Sequence, residues 1–157
     1  MMKPLLLASS MASLLLPLAT GTAVAGSVYT DLTEHSASCT PPDAEGFSWT
    51  CRGPGGHRIE FLDEGNIASF SVDGHEGLAF RGGQTPFGSK AEWVSGADGR
   101  PTALILRISS PGASLLTVTR LAPGPVCVVA SAKDNGQARA FASVVGNLPC
   151  EHPDLLN

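Results

Sequence analysis

The sequence predicts an α+β, mostly β fold: an antiparallel meander-type sheet or partly closed barrel of about 7–9 strands with one C-terminal helix. Three observations predict it. Short segments with a period of two recur between Gly- and Pro-containing turns. Registers built outward from those turns set apolar residues against apolar residues on one face. Only the last apolar segment changes to helical spacing.

Taken in order, Ser27 to Leu32 reads as a strand, followed by a polar loop around Thr40-Pro41-Pro42-Asp43. Gly46-Phe47-Ser48-Trp49-Thr50-Cys51 alternates aromatic with small polar residues and reads as a second strand. Residues 56–81 read as a three-stranded meander. A Glu64-Gly65 turn sets Phe61 opposite Ala68, Ile59 opposite Phe70 and His57 opposite Val72. A Gly74-His75-Glu76 loop then sets Val72 opposite Leu78 and Phe70 opposite Phe80. After a loop from Gly82 to Ser89 come a strand at Ala91–Val94, a turn at Gly96–Gly99 and an apolar strand from Thr102 to Ser109. A turn around Ser110-Pro111-Gly112 places Ile108 opposite Leu116 and Leu106 opposite Val118. Val126–Ala130, apolar on both faces, is the expected central strand. Ala138, Phe141, Val144, Val145 and Leu148 form one helical stripe, with Asp134 or Asn135 as N-cap and Pro149 as stop.

The chain has 157 residues, 43% hydrophobic, 15% charged and 6% aromatic, the length of one domain. A net charge of −4 carries no basic footprint, so no nucleic-acid partner is expected. Residues 1–25 read as a secretory signal peptide: Lys3 is the basic region, Leu5 to Leu18 the apolar stretch, and Ala23-Val24-Ala25 the cleavage site before Gly26. The stretch contains Pro17 and falls short of the ~20 residues a membrane span needs, although an uncleaved anchor is the alternative. The expected product is one disulfide-bridged β-rich domain, residues 26–157, periplasmic or secreted, with no membrane span after cleavage. Its four cysteines, an even number in an exported chain, predict two bridges. Three pairings are open; Cys39–Cys51 and Cys127–Cys150 are expected because each closes a local loop.

Complete catalytic and ligand sets are missing, so no cofactor or metal is expected. His57 follows a Gly-rich loop near Glu60, Asp63 and Glu64 and is the one general-base candidate. His75-Glu76 lacks the second histidine of a zinc helix, Asp63-Glu64-Gly65-Asn66 lacks calcium-loop spacing, and Gly83–Lys90 has the wrong order for a phosphate loop. No CxxC and no G-x-S-x-G occurs. In the Gly82–Ser89 loop, Thr85-Pro86-Phe87 presents an aromatic beside a proline, the pattern of an interface anchor.

Tyr29-Thr30-Asp31-Leu32 before Cys39, the Gly46–Cys51 segment, Leu116-Thr117-Val118-Thr119-Arg120-Leu121 and the Cys127…Cys150 end together resemble small exported bacterial proteins of uncharacterised function. The resemblance implies an envelope location and no particular activity. A looser likeness, of architecture and compartment alone, is to periplasmic lysozyme inhibitors. The expected function is that of an exported non-enzymatic protein binding another protein or an envelope component. The alternatives are a small hydrolase-like enzyme using His57 and a purely structural or stress-linked protein.

Overall fold

The computed structural model describes residues 26–33 and 35–150; the expected signal peptide, residues 1–25, lies outside them. The strands are β1 (Ser27–Asp31), β2 (Ser48–Arg52), β3 (Arg58–Asp63), β4 (Ile67–Val72), β5 (His75–Arg81), β6 (Phe87–Ser95), β7 (Pro101–Ser110), β8 (Ala113–Arg120) and β9 (Cys127–Ala132); one helix, α1 (Asn135–Ser143), follows. Mostly β with a C-terminal helix is thus the fold class, and the strands divide into two antiparallel sheets. A five-stranded sheet has the order β1-β6-β7-β8-β9, and a four-stranded sheet the order β2-β3-β4-β5. β6 is buried on both faces from Ala91 to Val94 and is paired along both edges, by β1 and β7. Its pairing with β1 draws that strand away from β2 and splits the meander.

Three layers result. The inner faces of the sheets meet through Ile59, Phe61, Phe70 and Val72 on one side and Trp93, Leu104, Leu106 and Ile108 on the other. Against the outer face of the larger sheet, Ala138, Ala142 and Val145 cover Ile105, Val118 and Val129. Asp134 caps α1, its Oδ1 accepting from Gln137 N at 2.9 Å. The helix is shorter than its stripe predicts. Val144 leaves helical backbone at φ −120° and is exposed, the chain tightens into a 3-10 turn at Val145–Asn147, and Ala142 takes the inward position.

The meander over residues 56–81 forms, with shifted registers. Phe61 faces Phe70 and Ile59 faces Val72, so the β3–β4 turn is Gly65-Asn66 and the expected pairing slips by two residues, which keeps the same face buried. The β4–β5 turn is Asp73-Gly74, both at positive φ (52° and 78°), the conformation a two-residue hairpin requires. Phe70 therefore faces Leu78, and a bulge follows between Phe70 and Ser71.

At β7–β8 the slip is one residue and changes the face. Pro111-Gly112 fills the turn, with Gly112 at φ 82°, so Ile108 faces Leu115 and Ile105 faces Val118. Leu116 and Val118 consequently turn toward the helix layer, away from Leu106 and Ile108. β9 is an edge strand, a correction to its expected central position. Its apolar residues are covered by the inter-sheet core on one face and by α1 on the other.

Both expected bridges are present, Cys39–Cys51 and Cys127–Cys150. The first holds a segment along the outer edge of β2, where Thr40 N donates to Thr50 O, Arg52 N to Ser38 O and Asp43 N to Ser48 O. Beside the second lies buried Arg120, its Nε on Pro125 O at 2.9 Å, Nη1 on Leu148 O at 2.8 Å and Nη2 3.0 Å from Cys150 Sγ. This guanidinium ties the chain after α1 back to the end of β8. Among the described residues no helix is long and apolar enough to cross a membrane.

Candidate functional site

At the end of the sandwich where β6 begins, the two sheets part and leave an open cleft of about 800 Å³. Its floor is aromatic. Trp49 of β2 and Phe61 of β3 are cross-strand partners, with ring centroids 5.1 Å apart and stacked. Phe87 of β6 reaches both from the other sheet, at 4.6 Å from Phe61 and 5.9 Å from Trp49, the latter edge-on. Phe61 is buried, whereas Trp49 and Phe87 are half-buried and line the opening.

The expected anchor residues Thr85, Pro86 and Phe87 all line this cleft, in roles other than a protruding tip. Phe87 is the first residue of β6 and packs inward, also against Phe80 at 5.6 Å. Pro86 is buried, and its carbonyl accepts from Ser109 N at 2.7 Å. Thr85 alone of the three is exposed. The neighbouring Gly88 explains the inward turn: a Cβ there would come within 2.8 Å of Arg107 Cβ, so only glycine lets the strand start so close to β7. Register is lost between Phe87 and Ala91, which frees the strand end to bend over the floor.

The opposite wall is the segment after β1, shaped by two carboxylates. Asp31 Oδ1 accepts from Thr33 N and Oγ1 at 2.9 and 2.8 Å, and Asp43 accepts from Phe47 N at 2.8 Å and Ser48 Oγ at 2.5 Å. These bonds stabilise the ionised forms and hold both carboxyls below their ordinary range. They fix the turn that carries Thr33, Thr40 and Pro42 to the cleft.

His57 lies elsewhere, just before β3. Its Nδ1 meets Asp73 Oδ2 at 2.7 Å, Asp73 Oδ1 accepts from Arg58 N at 2.8 Å, and its ring stacks on Trp93 at 5.6 Å. The register correction brings Asp73 to it rather than Glu60, Asp63 or Glu64. Glu60 instead accepts from Ser71 Oγ at 2.9 Å. A base and an orienting carboxylate are therefore in place, while no hydroxyl or thiol among the described residues hydrogen-bonds the imidazole.

No family model, curated protein or solved structure matches this chain. The site's chemistry rests on its own geometry. Among the described residues no group of three or more His, Cys, Asp and Glu side chains is placed to hold a metal ion. Opposite charges are few at the cleft: Asp63 and Arg107 both line it, and each already has a partner, Gly65 N for the carboxylate and Ser114 Oγ for the guanidinium. What remains is an aromatic floor with a rim of hydroxyl and amide groups, an arrangement suited to binding. Sequence reading points to Thr85–Phe87 but favours a core place over a binding platform for Trp49, whose alternation with Cys51 gives its strand and not its exposure. It also missed Asp73, because the Asp73-Gly74 turn was placed one residue late.

Proposed function

We propose that this is an exported envelope protein that binds its partner, another protein or an envelope component, in the cleft floored by Trp49, Phe61 and Phe87. The observation that carries the reading is the junction of Phe87 with Trp49 and Phe61 beneath an opening of about 800 Å³, within the size range of ligand sites. Half-buried aromatics in a concave setting supply binding energy at low side-chain entropy cost. The two disulfides support an oxidising compartment and agree with the leader expected at residues 1–25. A second reading, a hydrolase-like enzyme with His57 as base, has the 2.7 Å His57–Asp73 contact in its favour.

The test is a non-reduced native mass spectrum of the protein expressed as the full chain and recovered from the periplasm. The expected mass is that of residues 26–157 less four hydrogens, with a bound component whose affinity Phe87→Ala weakens by more than about 1 kcal/mol. An unprocessed chain would remove export. Binding unchanged in Phe87→Ala would remove the cleft. Turnover on any substrate, lost in His57→Ala, would favour the second reading.

A further inference from the structure

The cleft's lining narrows the chemistry of what it binds, an inference that rests on the binding reading above. We propose that its ligand is an uncharged saccharide, a neutral sugar segment of an envelope glycan. Three observations converge on this. The first is charge. Asp63, Arg107 and His35 are the titratable side chains of the lining, one carboxylate, one guanidinium and one imidazole, so neither an anionic nor a cationic ligand finds a cluster of counter-charge there. The second is the rim. Gln84, Thr85 and Ser89 line the cleft, are exposed, and their side chains make no hydrogen bond to another described residue. Capping these groups with a hydrocarbon chain would strip them of water without replacement, which disfavours a lipid acyl tail. The third is the state of the strand edges. Beside the cleft, β2's outer edge is taken by the 38–43 segment, and the edge of β6 by β1 up to the Leu32 N to Ser89 O bond. A peptide added as an extra strand therefore has no free main-chain edge to pair with there.

Recognition is left to side chains: two half-buried aromatic rings, Trp49 and Phe87, beneath hydroxyl and amide groups. A pyranose matches both parts, with an apolar C–H face for the rings and equatorial hydroxyls that exchange hydrogen bonds with Gln84, Thr85 and Ser89.

The two tryptophans make the test self-controlled. Trp49 lines the cleft, whereas Trp93 is fully buried with Nε1 donating to Thr30 Oγ1 at 2.9 Å. Their indole N–H resonances are followed while the bridged protein is titrated with chitotetraose, maltotetraose, cellotetraose and, separately, a capped neutral octapeptide. At least one saccharide shifts the Trp49 signal saturably and leaves Trp93 in place, and Gln84→Ala weakens that binding by about fivefold with the Trp93 signal unmoved. A response to the octapeptide and to no saccharide overturns the inference in favour of a peptide ligand. No response to any probe also overturns it. In both cases the native mass spectrum judges the binding reading independently: a component lost in Phe87→Ala keeps the cleft as the site, and its absence ends both.

Discussion

The rings of Phe61 and Phe87 meet at 4.6 Å between centroids, tilted by 57°, and join the two sheets where they part around the cleft. Phe61 is a fixed part of the inter-sheet core, whereas Phe87 begins its strand at a point of broken register. The same contact therefore closes the hydrophobic interior and builds the cleft floor. A residue of this kind couples stability to binding.

Truncation of Phe87 to Ala is expected to cost about 2 kcal/mol of folding free energy, below the range for fully buried Phe because the ring is half-exposed. Phe87→Leu should recover part of this loss while still removing the edge-on contact with Trp49. Denaturant unfolding checks both. A loss below about 0.5 kcal/mol for the Ala variant would show that the ring does not close the core.

Gly53 lies against the face of Trp93, and a Cβ there would overlap the indole. Trp93 is fully buried and anchored by Thr30, so it has nowhere to move. Gly53→Ala should destabilise by about 2–3 kcal/mol through overpacking and disturb the His57 stack. A thermal melt compared with Gly83→Ala, where the backbone is not left-handed and a Cβ meets nothing nearer than 3.9 Å, separates crowding from the general effect of replacing a glycine. Equal losses in the two variants would contradict the crowding account.

Glu92 is buried on the helix side of β6, where burial opposes its ionisation. The Arg139 guanidinium at 2.8 Å and Ser27 Oγ at 2.7 Å outweigh that effect and hold its carboxyl below the ordinary 4.5. A depressed folded-state pKa contributes stability that is complete above the unfolded value and is lost as pH falls through the folded one. Glu92→Gln should therefore cost about 1–2 kcal/mol at neutral pH, less than a fully buried pair because Arg139 stays half-exposed to water. Its stability should also fall less steeply than the wild type's as pH drops below about 4.5. Asp31 and Asp43 titrate in the same sense and remain in the variant, so a shallower acid slope is expected rather than a flat one. Parallel slopes for the two proteins would contradict the assignment.

Thr119 Oγ1 is the buried side-chain oxygen without a hydrogen-bond partner among the described residues. Thr119→Val replaces that hydroxyl by a methyl of similar size and should be neutral or stabilising by up to about 1 kcal/mol. Chemical denaturation checks it; a clear loss would mean that the hydroxyl is solvated or bonded in solution.

Removal of either bridge as a Cys-to-Ala pair should cost about 3 kcal/mol, given closed loops of 12 and 23 residues. The consequences should differ. Loss of Cys39–Cys51 releases the wall of the cleft, so binding should weaken beyond the stability loss. Loss of Cys127–Cys150 acts at the far end of the strands and should leave binding intact in the folded fraction. Isothermal titration of both variants at a temperature where each is folded distinguishes them.

Fold class, strand count, helix and bridge pairing were legible because each depends on local pattern or loop length. Alternation along Arg58–Val72 identified the buried face even when the register was two residues off, since a slip of two preserves facing. The Pro111-Gly112 turn was less forgiving: an offset of one residue sent Leu116 and Val118 to the wrong layer. Pairing of β1 with β6, about 60 residues away in sequence, left no local mark, and with it went the division into two sheets. The Thr85–Phe87 loop was legible as a place of interest, but its inward direction depends on Gly88 meeting Arg107 across two strands. Trp49 and Asp73 became site residues only through partners supplied by the tertiary fold.

The central claim is that the cleft is where this protein binds. Its most direct test follows the two indole N–H resonances of the bridged protein as a soluble envelope extract is added. The account predicts that the Trp49 resonance shifts while that of Trp93 stays fixed, and that the shift disappears in Phe87→Ala. A shift that survives in Phe87→Ala, or an unmoved Trp49 in the presence of a component that binds the protein, would contradict it.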